Sequence, residues 1–364
     1  MQTVTIGKNQ SGQRLDKFLH KFMPNAGNGF LYKMLRKKNI TLNGHRAEGP
    51  EILAQGDTLS FFFSEETYRK FTGLCPAEGA GSPAKSGTAP EGQVSVKKTP
   101  VQEYLQAFHT LKDIRVLYED EDILIADKPA GILSQKAAPS DLSLNEWLIG
   151  YLLEVSHFPR GELRTFKPSV CNRLDRNTSG LVLCGKSLRG SQYLSRCIRE
   201  RSVHKFYRTI CVGSIDTEMT VRGYLNKDAA RNKVTVSSDA APGSESDYIE
   251  TRFQPLKSAG SYTLLEVELI TGKTHQIRAH MASIGHPLLM DYKYGEAAFN
   301  HRYEKLISGR GQLLHAYRLE FPPCRLLAEE EIHRFTAPEP DAFQKLLQIK
   351  GKENIDDNME FQRP

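Results

Sequence analysis

Between residues 110 and 350, strand-like runs follow one another without regularly spaced crossover helices. Parallel strands need a crossover of a dozen or more residues, usually a helix, so this spacing points to an α+β domain with a mixed, largely antiparallel sheet. RVLYEDEDILIADKP reads as two strands around an acidic turn, ended by Pro129-Ala130-Gly131; LVLC, FYRTICV and YTLLEVELI are further strands. DLSLNEWLIGYLLEV reads as a helix with Asp141 as its cap and Leu144, Leu148, Tyr151 and Val155 along its buried face. No internal repeat interrupts this pattern.

A smaller unit precedes it. In residues 1–63, Leu15, Phe18, Leu19 and Phe22 recur at helical spacing, and a second helical run places Phe30, Leu31, Met34 and Leu35 on one side. Two short strands follow, punctuated by the hairpin dipeptide Asn43-Gly44. Nine Lys and Arg stand against four Asp and Glu here, most of the chain's net charge of +6. Residues 64–109 read as a flexible linker. Its centre, residues 73–100, holds five glycines and four prolines, about a third of the stretch against the usual Gly plus Pro share of about 12%. Such a composition buries too little to order itself and should let the basic unit move. The domain proper spans 110–350, and residues 351–364 read as a disordered tail.

The six cysteines (Cys75, Cys171, Cys184, Cys197, Cys211, Cys324) include no CxxC pair. That argues against a structural zinc site and a disulfide scaffold, and fits a reducing cytoplasm. No signal peptide and no membrane span is read, and the Asn177-Thr178-Ser179 sequon is a chance match in such a protein. A mildly basic chain favours a polyanionic partner. With no assembly signal, a monomer is expected.

The densest chemistry lies in CNRLDRNTSG, residues 171–180, where Asp175 sits between Arg173 and Arg176. Neighbouring guanidinium groups keep a carboxylate ionised, which suits a nucleophile or a fixed negative charge; the alternative is a surface ion pair at a turn. In HKFYRTICV, strand alternation puts Tyr207 opposite Phe206 and Ile210, projecting away from the core. There it is either a base-stacking or acid/base group, or a rim tyrosine. GKTHQIRAHMASIGHP becomes a short helix with Ile277, Met281 and Ile284 as its apolar stripe and Thr274 and Arg278 one turn apart, making Arg278 a rigidly mounted cation. His275 and His280 are spaced i,i+5 without further ligands, so no metal site is expected. Leu314 and His315 read as sheet core with a satisfied histidine.

The blocks KPAG, NRLDRNTSG, KFYRTICVG, GKTHQIRAH with GHPLLMDYKYG, and LLHAYRLEFPP occur in this order between residues 128 and 323. Together they resemble the bacterial pseudouridine synthases of the large-subunit rRNA type. RLDKFL, the basic second helix, ITLNG and GDTL resemble a small α/β RNA-binding module shared by a ribosomal protein, bacterial tyrosyl-tRNA synthetases and many RNA-modifying enzymes. The resemblance implies a pseudouridine synthase catalytic domain that isomerises uridine in large-subunit rRNA, on a flipped-out nucleotide and without a cofactor. It puts the nucleophile at Asp175, the active-site tyrosine, set to stack on the uracil and help remove a proton, at Tyr207, and the basic partner of Asp175 at Arg278. Arg173 would fill the space left by the extruded base, Arg176 flanks the same nucleotide, and Lys33, Arg36 and Lys37 would contact phosphates. A glycoside hydrolase needs two cooperating carboxylates; only one is apparent around Asp175, which suits a rearrangement. Two departures stand out: Asn172 and Asn177 replace the family's usual His and Asp, and Asn172 cannot titrate. A synthase acting on tRNA, or a non-catalytic RNA-binding or ribosome-assembly factor, are the alternative readings.

Overall fold

The computed structural model describes residues 1–73, 99–228, 233–240, 246–304, 307, 311–323 and 333–348. Its N-terminal unit runs β1 (Gln2–Thr5), α1 (Leu15–Phe22), α2 (Asn28–Arg36), β2 (Ile40–Leu42), β3 (His45–Arg46), β4 (Thr58–Phe61) and α3 (Glu65–Thr72). The strands pair antiparallel in the order β1-β4-β2-β3. Asn43 and Gly44 both have positive φ, 51° and 77°, as a type I′ hairpin turn demands. Leu15, Phe18 and Leu19 of α1 pack with Leu31 and Leu35 of α2 and Phe61, leaving Lys33, Arg36 and Lys37 exposed.

The unit does not end at residue 63. Ser64 caps α3, its Oγ accepting from the Thr67 N–H at 3.2 Å, and Tyr68 and Phe71 pack on the same core. The other end of the 64–109 stretch is helical too: α4 (Pro100–Thr110) opens with a capping box of Thr99 and Gln102. Its Tyr104 and Ala107 are buried with side chains of the following domain. The intervening linker reading, Cys75, Cys324 and the tail 351–364 lie outside the described residues.

The larger domain continues with β5 (Arg115–Glu119), β6 (Ile123–Lys128), α5 (Leu144–Glu154), β7 (Ser169–Val170), β8 (Ser179–Gly185), α6 (Leu188–Arg199) and β9 (His204–Val212). After these come β10 (Met219–Asp228), β11 (Lys233–Ser237), β12 (Asp247–Ser258), β13 (Tyr262–Leu269), α7 (Gln276–Ser283), α8 (Ala297–Tyr303), β14 (Leu314–Phe321), β15 (His333–Thr336) and α9 (Asp341–Gln348). They build one 11-stranded sheet with the path β11-β10-β12-β13-β9-β14-β8-β6-β5, β15 adding to β14 and β7 to β8. Among the described pairings β14–β8 is parallel and the rest are antiparallel, the mixed sheet the strand spacing implies.

Both faces of the sheet centre are covered. Along β6, Leu124 and Ala126 face the core shared with α5 and α7, while Ile123 and Ile125 face the one shared with α6. Runs such as ILIA and LVLC are what double-sided burial looks like in sequence. Gly180, at φ 108°, lets β8 meet β14; a Cβ there would collide with the Ala316 backbone. The α5 cap is Ser143, not Asp141, whose carboxylate accepts the Ala138 N–H at 2.8 Å.

The two units touch. Lys8 pairs with Glu121 at 2.5 Å, Asn9 donates to Glu162 at 2.6 Å, and the Arg164 guanidinium donates to the Thr72 carbonyl while lying 5.5 Å from the Phe22 ring. These contacts seat the basic unit against the domain, where the linker composition suggests free movement. Among the described residues no helix is long and apolar enough to cross a membrane.

Candidate active site

Residues 171–178 form the loop from β7 to β8, and side chains from several other segments hold it. Ser134, almost fully buried, brackets Leu174: its Oγ accepts the Leu174 N–H at 3.0 Å and donates to the Leu174 carbonyl at 2.9 Å. The buried Lys128 Nζ donates to the carbonyls of Pro129, Ile132 and Arg176 at 3.0, 2.8 and 3.1 Å, stapling the KPAG turn to this loop. Burial lowers the Lys128 pKa to about 7, against the opposing pull of Asp175 and Asp127. Asn172, unexplained from sequence, ties the loop to the sheet, its Oδ1 accepting the Leu183 N–H of β8 at 2.7 Å. Gln312 donates to Thr178 Oγ1 at 3.0 Å, and the Thr178 N–H closes a turn on the Asp175 carbonyl at 3.1 Å. The result is a carboxylate, one quarter exposed, on a rigid loop.

The cation that meets it is Arg278 of α7. Its Nη1 donates to Asp175 Oδ2 at 2.8 Å, while Nε and Nη2 grip Asp291 at 2.7 and 2.9 Å in a two-pronged contact. Asp291 is almost fully buried, and its Oδ1 also accepts the backbone N–H groups of Lys293 and Tyr294. Burial alone would lower the Arg278 pKa; the hydrogen bonds and charge of Asp291, followed by Asp175, reverse this and raise it. The guanidinium therefore remains a fixed cation, pinned from behind by one carboxylate and presented to the other. That second carboxylate corrects the expectation of a single one in this neighbourhood.

Arg173 and Arg176 do not do what adjacency suggests. Both are exposed, and neither forms an ion pair with Asp175 among the described residues. Both point to the same cleft of about 720 Å³, whose walls include Asp175, Tyr207, His275 and Arg278. Seven Lys and Arg side chains line it, and Asp175 is its one carboxylate among the described residues. Asp291 stands behind Arg278, outside that lining. Lys33, Arg36 and Lys37 are not part of it; they lie on the N-terminal unit.

Tyr207 is not turned away from the core. It is 6% exposed and packs with Leu314, Ala316 and Val267, because the second face of β9 is covered as well. Burial, and then the charge of Asp175, push its hydroxyl pKa up, so it stays protonated at neutral pH. His275 precedes α7 in a left-handed conformation, φ 55°, with Nε2 3.7 Å from Asp175 Oδ2 and Nδ1 3.0 Å from Tyr294 Oη. Thr274 lies outside the helix. No group of three ligand-type residues fit to hold a metal occurs among the described residues. Of His315, Nδ1 meets Ser179 Oγ at 2.9 Å, and Nε2 has no hydrogen-bond partner among the described residues.

The RNA pseudouridylate synthase family model matches residues 122–283. The ribosomal large subunit pseudouridine synthase C of Vibrio cholerae is 27% identical over 340 residues, covering 92% of this chain and 92% of that protein. An uncharacterized RNA pseudouridine synthase of Mycoplasma pneumoniae is 30% identical over 311 residues, 85% of this chain and 84% of the relative. Among solved structures, human RNA pseudouridylate synthase domain containing 4 aligns with a TM-score of 0.53 at 20% identity. The alignment covers 68% of this chain and 96% of that one, a likeness of fold.

Proposed function

The chain belongs to the RNA pseudouridylate synthase family, and we propose that it isomerises uridines of large-subunit rRNA with Asp175 as its nucleophile. The observation that carries this reading is the cleft's charge pattern: one carboxylate, held by a doubly anchored arginine, in a wall otherwise rich in cations. A hydrolase of glycosidic bonds would need a second carboxylate in the cleft. An isomerase does not, since the base leaves the sugar and returns to it. Asp175 acts at the anomeric carbon, and Arg278 keeps its carboxylate aimed. Tyr207 offers its ring to the uracil.

A uridine within a helix is out of reach of this carboxylate, so the nucleotide must be extruded, at a cost of a few kcal/mol that is lower in loops and bulges. Arg173, exposed at the rim, fills the vacated stack, and Arg176 faces the same nucleotide. Lys33, Arg36 and Lys37 contact phosphates, adding affinity without reading sequence. The rRNA assignment draws on the Vibrio cholerae relative's name and on the basic N-terminal unit. On this reading the enzyme acts in the cytoplasm and as a monomer. Pseudouridine mapping across rRNA and tRNA from cells with and without the gene tests the substrate. A discrete large-subunit rRNA uridine should lose its modification. Loss confined to a tRNA would move the enzyme to that substrate.

A further inference from the structure

Some group must receive the proton that leaves the uracil. Bond exchange breaks N1–C1′ and joins C5 to C1′, leaving C5 saturated and still carrying its hydrogen. When C5–H breaks, its electron pair restores the C5–C6 double bond, the C6–N1 pair returns to N1, and N1 takes up a proton. The sum is an isomerisation, with no oxidant and no reductant. Tyr207 is a poor acceptor, because its buried hydroxyl keeps its own proton.

We propose that His275 Nε2 is the acceptor of the C5 proton, with Tyr294 holding the ring in place. This inference rests on the reading of Asp175 as the group acting on the sugar. Nε2 lies 3.7 Å from Asp175 Oδ2, on the wall of the same cleft, so a nucleotide seated on Asp175 is within its reach. Nδ1 is engaged at 3.0 Å by Tyr294 Oη, which also accepts the Val234 N–H at 3.1 Å. Proton acceptance at Nε2 requires the tautomer in which His275 carries its proton on Nδ1 and donates it to Oη, leaving the Nε2 lone pair to the cleft. This is the nucleophile–base–orienter logic of acyl-transfer sites applied to proton removal. Once C1′–C5 has formed, Asp175 is a free carboxylate again and stabilises the imidazolium beside it.

His275 enters α7 at φ 55°, a left-handed conformation that histidine adopts more readily than most residues. Tyr294 is itself fixed, with the Arg278 guanidinium 5.0 Å from its ring and Lys233 Nζ 5.1 Å from it. The charged groups facing the imidazole are Asp175, Asp291, Arg278 and Lys293, with Lys233 across Tyr294. Burial, Arg278 and Lys293 lower its pKa below the ordinary 6.5, and Asp175 and Asp291 oppose them. The ring is thus neutral at pH 7, ready to accept. Because the neutral form is the active one, kcat should fall as pH drops through that lowered value.

The test compares full-length wild type, His275→Asn and Tyr207→Phe on a large-subunit rRNA transcript made with uridine or with [5-²H]uridine. Asn tolerates positive φ and can still donate to Tyr294, while lacking Nε2. His275→Asn should lower kcat on the order of 10²-fold or more, with RNA affinity unchanged. It should also raise the C5-deuterium isotope effect on kcat above that of wild type and shift the acid limb of the pH profile to lower pH. An unchanged kcat, or a lower kcat with an unchanged isotope effect, overturns the assignment. So does a raised isotope effect in Tyr207→Phe but not in His275→Asn, which would give the proton to the tyrosine. Wild-type turnover, scored first, tests the underlying isomerase reading separately.

Discussion

Replacing Asp175 by Asn should abolish pseudouridine formation while leaving RNA affinity nearly unchanged. The amide is isosteric with the carboxylate but can neither attack the anomeric carbon nor carry the negative charge that balances a cationic sugar. The loop should survive the exchange, since its hold comes from Ser134, Lys128, Asn172 and Gln312 rather than from the Asp175 side chain. Arg278 should stay in place as well, because two of its three side-chain hydrogen bonds go to Asp291. Loss of a nucleophile that acts with fixed partners typically costs on the order of 10⁴–10⁶-fold in kcat. Single-turnover pseudouridine formation on an rRNA transcript, with affinity measured by filter binding, reads both quantities. Turnover within tenfold of wild type would move the nucleophile elsewhere.

Asp291→Asn should have the second largest effect, and it should appear in stability and rate together. Arg278 and Asp291 are both almost fully buried, their side chains 8% and 1% exposed. Removing one charge of a buried pair leaves the other uncompensated, a loss of about 3–5 kcal/mol in comparable cases. Asp175 relieves part of it, because the freed guanidinium can lean towards the remaining carboxylate. That relief misaligns the nucleophile, and a displacement of about 1 Å at a reacting group can cost about 10²-fold. A lowered unfolding midpoint in denaturant, accompanied by a fall in kcat of that order, is the expected result. A variant with wild-type stability and kcat would show that Arg278 does not need its rear anchor.

Much of this site was legible in the chain, and the gaps have physical causes. The meeting of Asp175 with Arg278 follows from the resemblance, and both residues line one cleft at 2.8 Å from each other. The flanking Arg173 and Arg176 read as partners of Asp175 in sequence but are not paired with it among the described residues, since adjacency says nothing of direction on a tight loop. Asp291 was invisible to periodicity: Gly285 and Pro287 end the helix, and only the three-dimensional return of the chain brings residue 291 behind Arg278. Tyr207 was misplaced because alternation separates inside from outside only where one face meets water, and here both faces of β9 are covered. In sequence His275 reads only as a candidate metal ligand, because periodicity cannot describe the left-handed backbone it adopts just before the helix.

The domain boundaries follow the same logic. Thr99-Pro100-Val101-Gln102 is a capping box with proline at the first helical position, a local start signal that the Gly/Pro-rich context obscured. The strand-rich, crossover-poor pattern, by contrast, carried the mixed sheet correctly, since it depends on spacing summed over many residues rather than on any one of them.

The most direct test of the central claim is the fate of the uridine itself. Purified full-length protein, incubated with a large-subunit rRNA transcript and no added cofactor, should convert uridine to pseudouridine with the mass of the RNA unchanged, as nucleoside analysis and intact-mass measurement would show. Release of free uracil with an abasic site would mean hydrolysis, and an unaltered nucleoside composition would mean binding without chemistry; either would contradict the account.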